Sequence, residues 1–153
     1  MIALILPDIR SAHNVGAIFR TAEAAGVSKI YLTGYTPAPV DQFGRVNKEI
    51  AKTALRAEKT IVWEKVENIF ELIQKLKTED WQLIALEQAK NSVDYREVKL
   101  GEKAAVLVGN EVEGIGEGIL KLCDAVAEIP MRGSKESLNV AVATGVALFR
   151  WLE

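Results

Sequence analysis

The sequence predicts an α/β domain with a mostly parallel sheet flanked by helices, and three observations carry that prediction. Ile2-Ala3-Leu4-Ile5-Leu6 is a continuous apolar run ended by Pro7, the pattern of a strand covered on both faces. A helical stretch from Val15 to Ala25, stopped by Gly26, leads to a second strand at Lys29–Thr33, so a βαβ unit closes within the first 33 residues. A further run, Ala104–Val108, is followed at once by Gly109, where a ligand could approach the main chain at the carboxyl edge of the sheet.

The remaining elements follow in order. Asp8 to Asn14 reads as a polar connection ahead of the first helix. Residues 34–45 hold two prolines and two glycines and read as a loop, which leads to a short helix near Val46–Leu55. Thr60–Trp63 is expected as a third strand. Val66, Ile69, Phe70, Ile73 and Leu76 recur at helical spacing over 66–77. Trp81–Leu86 is a fourth strand, and Glu87–Glu102 is a connection with a short excursion around Val93–Val98. After the fifth strand at Ala104–Val108, a helix is expected at Ile115–Leu122 and a sixth strand at Ala125–Ile129. The last helix, about Leu138 to Leu152, is capped in this reading by Ser134 or Ser137. It has so little polar surface that burial on nearly all sides is expected.

At 153 residues the chain has room for one core, and one domain over 1–153 is expected. A single cysteine, Cys123, excludes an internal disulfide, and no Cys/His cluster points to a metal. No apolar run approaches the roughly 20 residues that span a bilayer, so no membrane partner is expected and the cytoplasm is the default compartment. The net charge of −2 argues against bulk nucleic-acid binding, but the charge is uneven. Residues 1–60 hold eight Lys/Arg against five Asp/Glu, and residues 61–153 hold eleven against sixteen. Lys48 and Lys52, one turn apart on the helix after the 34–45 loop, and Arg45 at the end of that loop read as an RNA-binding surface, against the plainer reading of a solvated face.

Three stretches share a resemblance. His13-Asn14-Val15-Gly16-Ala17-Ile18-Phe19-Arg20, Val108-Gly109-Asn110-Glu111-Val112-Glu113-Gly114-Ile115 and the Ile129-Pro130-Met131 to Ser137-Leu138-Asn139-Val140 segment resemble, in order, the three signature motifs of the SpoU (TrmH-like) class of SPOUT RNA 2′-O-ribose methyltransferases. The resemblance implies a deep C-terminal trefoil knot, the stretch from about Ile129 being threaded through a loop of the second-motif region. It also implies S-adenosylmethionine as the donor cofactor, with Leu86, Glu87, Gly109, Ile129, Met131, Ser137 and Leu138 around it. For catalysis it implies Asn14, Arg20, Glu111, Ser137 and Asn139. Arg20 would hold the target phosphate and stabilise a developing alkoxide, since a guanidinium is a poor base. Glu111 would orient Arg20 or the Asn139 loop. His13, the only histidine, reads as a phosphate contact ahead of a general base.

The resemblance further implies a tRNA or rRNA substrate and a homodimer in which Arg20 of one subunit lies near the donor pocket of the other. Ala141 stands where relatives often carry serine, and no RNA-binding extension is expected. The activity implied is S-adenosylmethionine-dependent 2′-O-ribose methylation. The alternative is a non-catalytic RNA-binding or ribosome-assembly protein that keeps the fold.

Overall fold

A computed structural model describes all residues 1–153. Seven strands, β1 (Ile2–Pro7), β2 (Lys29–Thr33), β3 (Val62–Val66), β4 (Gln82–Leu86), β5 (Val93–Asp94), β6 (Ala104–Val108) and β7 (Ala125–Glu128), form one sheet in the order β3-β2-β1-β6-β4-β7-β5. Every neighbouring pair is parallel. The helices are α1 (Ala12–Ala25), α2 (Lys48–Ala54), α3 (Ala57–Thr60), α4 (Ile69–Thr78), α5 (Glu117–Leu120) and α6 (Val140–Trp151).

The unbroken apolar runs become the central strands, because β1 and β6 are buried along their whole length. Alternation then divides them between two layers. Leu4, Leu6, Val106 and Val108 pack with Val15, Ile18 and Phe19 of α1 and with Ala147 and Leu148 of α6. Ala3, Ile5, Ala105 and Leu107 pack with Leu72, Ile73 and Leu76 of α4. Each fully buried Leu or Ile contributes about 1.5–3 kcal/mol, so the two faces of β1 and β6 hold the layers together.

Several boundaries differ from the sequence reading, and side-chain caps explain most of them. Ser11 Oγ accepts from Asn14 N, so α1 begins at Ala12 and takes His13 and Asn14 into its first turn. Asn47 caps α2 and Asn68 caps α4, which moves the expected starts inward to Lys48 and Ile69. Leu55 and Arg56 both have positive φ, which ends α2 at Ala54. The next four residues close a helical turn, so β3 starts at Val62 rather than Thr60. The helix expected at Ile115–Leu122 shortens to α5. Val93–Asp94 within the expected excursion pairs with β7 as a seventh strand.

The last helix departs most from expectation. Asn139, not Ser134 or Ser137, caps α6, accepting from Ala141 N at 2.9 Å and Val142 N at 3.3 Å. Only Thr144, Ala147 and Leu148 are buried, while Val142 and Phe149 are each 53% exposed. The helix packs on α1 on one side and donates from Trp151 Nε1 to Tyr95 O, and no element of this chain covers its other side.

Candidate active site

The carboxyl ends of β6, β4 and β7 open onto one cavity of about 860 Å³. Leu86 and Glu87 enter it from the end of β4, and Gly109 and Glu111 from the loop after β6. Ile129, Met131, Ser137, Leu138 and Asn139 enter from the segment between β7 and α6, and Asn14 from α1. Thus segments far apart in sequence meet at one sheet edge, as open parallel sheets require of a ligand site.

Side-chain hydrogen bonds tie the three loops together. Asn139 Nδ2 donates to Asn14 Oδ1 at 3.1 Å, and Asn14 Nδ2 donates to Glu111 Oε1 at 3.3 Å. The Glu111 carboxylate also accepts from Arg10 N at 3.1 Å and Ser11 N at 3.2 Å, at the start of α1, where free N–H groups favour a negative charge. Burial raises the Glu111 pKa, but the backbone N–H groups of Glu111, Arg10 and Ser11, with the Asn14 amide, outweigh it and leave it below the usual carboxylate range. Glu111 is therefore linked to Asn139 through Asn14.

Glu87 performs a second tie. Its Oε2 accepts from Ile115 N at 2.9 Å and its Oε1 from Gln88 N at 2.8 Å. A Cβ on Gly109 would lie 2.7 Å from Glu87 Oε2 and 3.2 Å from Gly114 Cα, so glycine is needed there for the loop to close against β4. Gly114 also has positive φ. Gly133, by contrast, has open space around it.

Asn110 was not singled out by its neighbours in sequence, yet it is buried and joins two segments. Its Oδ1 accepts from Val112 N and Glu113 N, and its Nδ2 donates to Asp8 O and to Tyr35 Oη. A lone asparagine between Gly109 and Glu111 carries the turn signal but not its long-range partners. Thr36, also buried, links β1 to the following loop by donating to Leu6 O and accepting from Ile9 N.

Arg20 is not brought to this cavity. It is exposed on α1 and lines a separate hollow with His13, Thr21, Lys52, Leu55 and Phe149. Six residues of helix carry it about 9 Å beyond Asn14 along the axis. Gly16, between them, serves packing: a Cβ there would lie 1.9 Å from Thr53 Oγ1 and 2.4 Å from Ile50 O of α2. Lys48 and Lys52 are exposed on α2, and Arg45 is exposed in the preceding loop. No group of His, Cys, Asp and Glu side chains is arranged to hold a metal ion, and no helix is long and apolar enough to cross a membrane.

The family model described as the SpoU rRNA Methylase family matches residues 1–149. The chain is 34% identical over 142 residues to the tRNA (guanosine(18)-2′-O)-methyltransferase of Aquifex aeolicus (strain VF5), covering 93% of this chain and 64% of that protein. It is 34% identical over 146 residues to the 23S rRNA (guanosine-2′-O-)-methyltransferase RlmB of Xylella fastidiosa (strain 9a5c), covering 95% and 56%. The chain thus spans between half and two thirds of the length of these curated relatives. Among solved structures, the A. aeolicus TrmH/SpoU tRNA modifying enzyme superimposes with a TM-score of 0.85 at 30% identity, covering 99% of this chain and 73% of that one. The AdoMet-bound rRNA methyltransferase from Sinorhizobium meliloti does so with a TM-score of 0.87 at 31% identity, covering 98% and 55%. With the match running through all three signature segments, this chain belongs to the SpoU rRNA Methylase family.

Proposed function

We propose that the chain is an S-adenosylmethionine-dependent methyltransferase acting on the ribose 2′-hydroxyl of a tRNA or rRNA nucleoside in the cytoplasm. The observation that carries this reading is the hydrogen-bonded chain Glu111–Asn14–Asn139, which joins the three motif segments at the wall of one cavity.

The residues present fit the donor. Leu86, Ile129, Leu138 and Val140 offer apolar surface for an adenine, and Gly109 lies on the same wall, where its lack of a side chain lets the loop close against Glu87. Met131 and Ser137 lie on the same wall. Glu87, Glu111, Glu113, Glu117, Glu128 and Glu136 give the cavity a negative field, which suits a sulfonium cation. When bound, S-adenosylmethionine supplies an activated methyl group. This chain's residues hold the acceptor: Asn14, Ser137 and Asn139 present polar groups for a ribose, and the Glu111 carboxylate keeps Asn14 from turning.

Arg20 acts in this reading across a two-fold axis. The exposed apolar side of α6 and the Arg20 hollow on α1 are adjacent, since Phe149 lines that hollow. Pairing two copies through α1 and α6 would cover Val142, Val146 and Phe149 and bring Arg20 toward the partner's cavity. The knot implied by the motif resemblance belongs to the same proposal. It is supported by β7, beyond β4 from β6, being followed by a segment that returns to Asn14.

The test is donor binding by calorimetry together with methyl transfer to bulk tRNA and rRNA, with the product digested to nucleosides. Release of 2′-O-methylnucleosides supports the reading. Tight donor binding without transfer favours the non-catalytic alternative, and sedimentation as a monomer at micromolar concentration overturns the two-fold arrangement.

A further inference from the structure

Phe43 is 71% exposed, yet the loop that carries it is built with care. Val40 bridges Val46 in antiparallel fashion, Asp41 N donates to Arg45 O, and Gly44 takes φ +78 at the turn. Asp41 Oδ1 accepts from Phe43 N and Arg45 N, each at 2.9 Å, while Oδ2 accepts from Arg45 Nε at 2.8 Å. The Arg45 guanidinium lies over the Phe43 ring, 5.0 Å from its centroid. Only Nε of that guanidinium is engaged, so both terminal amino groups remain available. A tip that buries nothing is therefore held in one conformation, with one ring face under a cation and the other open.

We propose that the Phe43–Arg45 tip is a stacking platform for an unpaired base of the RNA substrate. Every base presents a π-face to an aromatic ring once it leaves a duplex, and arginine adds cation–π attraction and a phosphate contact. Lys48 and Lys52 follow on the exposed side of α2, which supplies the positive charge a nucleic-acid strand needs. The root of the same loop is fixed at the donor cavity, because Tyr35 Oη accepts from Asn110 Nδ2 at 2.8 Å and Asn110 lines that cavity. The tip is thus positioned to select looped over paired RNA for the neighbouring reaction. This inference rests on the proposed RNA acceptor.

The experiment uses the full chain and three fluorescent probes: a short RNA stem-loop, the same stem with abasic loop nucleotides, and a blunt RNA duplex. Wild-type protein should prefer the first. Phe43→Ala should lower stem-loop affinity about tenfold and erase the preference, while Phe43→Trp should retain both. The salt dependence should be unchanged by Phe43→Ala and shallower for Arg45→Gln. Donor affinity should not move in any variant. If wild type binds the stem-loop and Phe43→Ala binds it equally well, the platform is wrong while the RNA reading stands. If wild type binds none of the probes, both fall. If Phe43→Ala instead alters sedimentation and leaves RNA affinity intact, the ring belongs to a contact between copies, and the platform is again overturned.

Discussion

Asn139 and Asn14 are 125 residues apart and share a hydrogen bond of 3.1 Å, Asn139 Nδ2 donating to Asn14 Oδ1. Each amide has its other end committed: Asn139 Oδ1 caps α6, and Asn14 Nδ2 donates to Glu111. Neither can flip without losing a partner, so one bond registers α1 against α6 at the cavity.

Asn139→Ala removes both the cap and the bond, and should lower unfolding stability by about 1 kcal/mol. Asn139→Asp keeps an oxygen at the cap but sets a carboxylate oxygen against Asn14 Oδ1, so it should retain the capping share and lose the link between α1 and α6. Urea denaturation of the two variants measures the difference, and an alanine variant as stable as wild type would remove the capping role.

Gly16→Ala should destabilise by roughly 1–3 kcal/mol or more, because its methyl would meet backbone at Ile50 O as well as Thr53 Oγ1. Gly118→Ala, in α5 with nothing within reach of the new methyl, is the control and should be neutral or slightly stabilising. Thermal melts of the pair distinguish a packing glycine from a merely flexible one.

Glu111 makes stability depend on acid pH. Its folded pKa lies below its ordinary value, so its contribution is present above the unfolded carboxylate pKa of about 4.3 and is lost as pH falls through the folded value. Glu111→Gln should flatten the acid limb of the urea midpoint below about pH 5 relative to wild type. An identical limb in both proteins would mean that the carboxylate carries no such linkage.

Donor binding and acceptor chemistry should separate, because Arg20 does not line the donor cavity. Arg20→Ala should leave S-adenosylmethionine affinity unchanged and reduce single-turnover methyl transfer by about 10²-fold. Gly109→Val should do the reverse first, weakening donor binding by pushing Glu87 and Gly114 into the cavity. Wild-type turnover in Arg20→Ala would exclude Arg20 from the chemistry.

Cys123 should be a poor nucleophile. Burial and the neighbouring Asp124 push its pKa up to about 11, and its Sγ lies against Ile119 O. Disulfide-exchange reagents at neutral pH should react slowly with the native protein and quickly once urea unfolds it, as absorbance of the released thiolate reports.

The layering of this protein was written in local pattern. Ile2–Leu6 and Ala104–Val108 lack alternation because both their faces are covered, and that signal needs no knowledge of the partner strand. Gly26 stops α1, and its αL conformation is a local property too. The three motif segments were legible through their resemblance to the SpoU signatures, whose glycine, asparagine and glutamate positions recur here in the same order. Burial of α6 was not, since apolarity states that a helix seeks cover but not whether its own chain or a second copy provides it. The Glu111–Asn14–Asn139 chain, the ties made by Asn110 and Glu87, and the close approach of Gly16 to α2 were likewise decided only in three dimensions. Each depends on side chains from separate elements arriving within about 3 Å, and that distance is set by sheet order rather than by any neighbour in sequence.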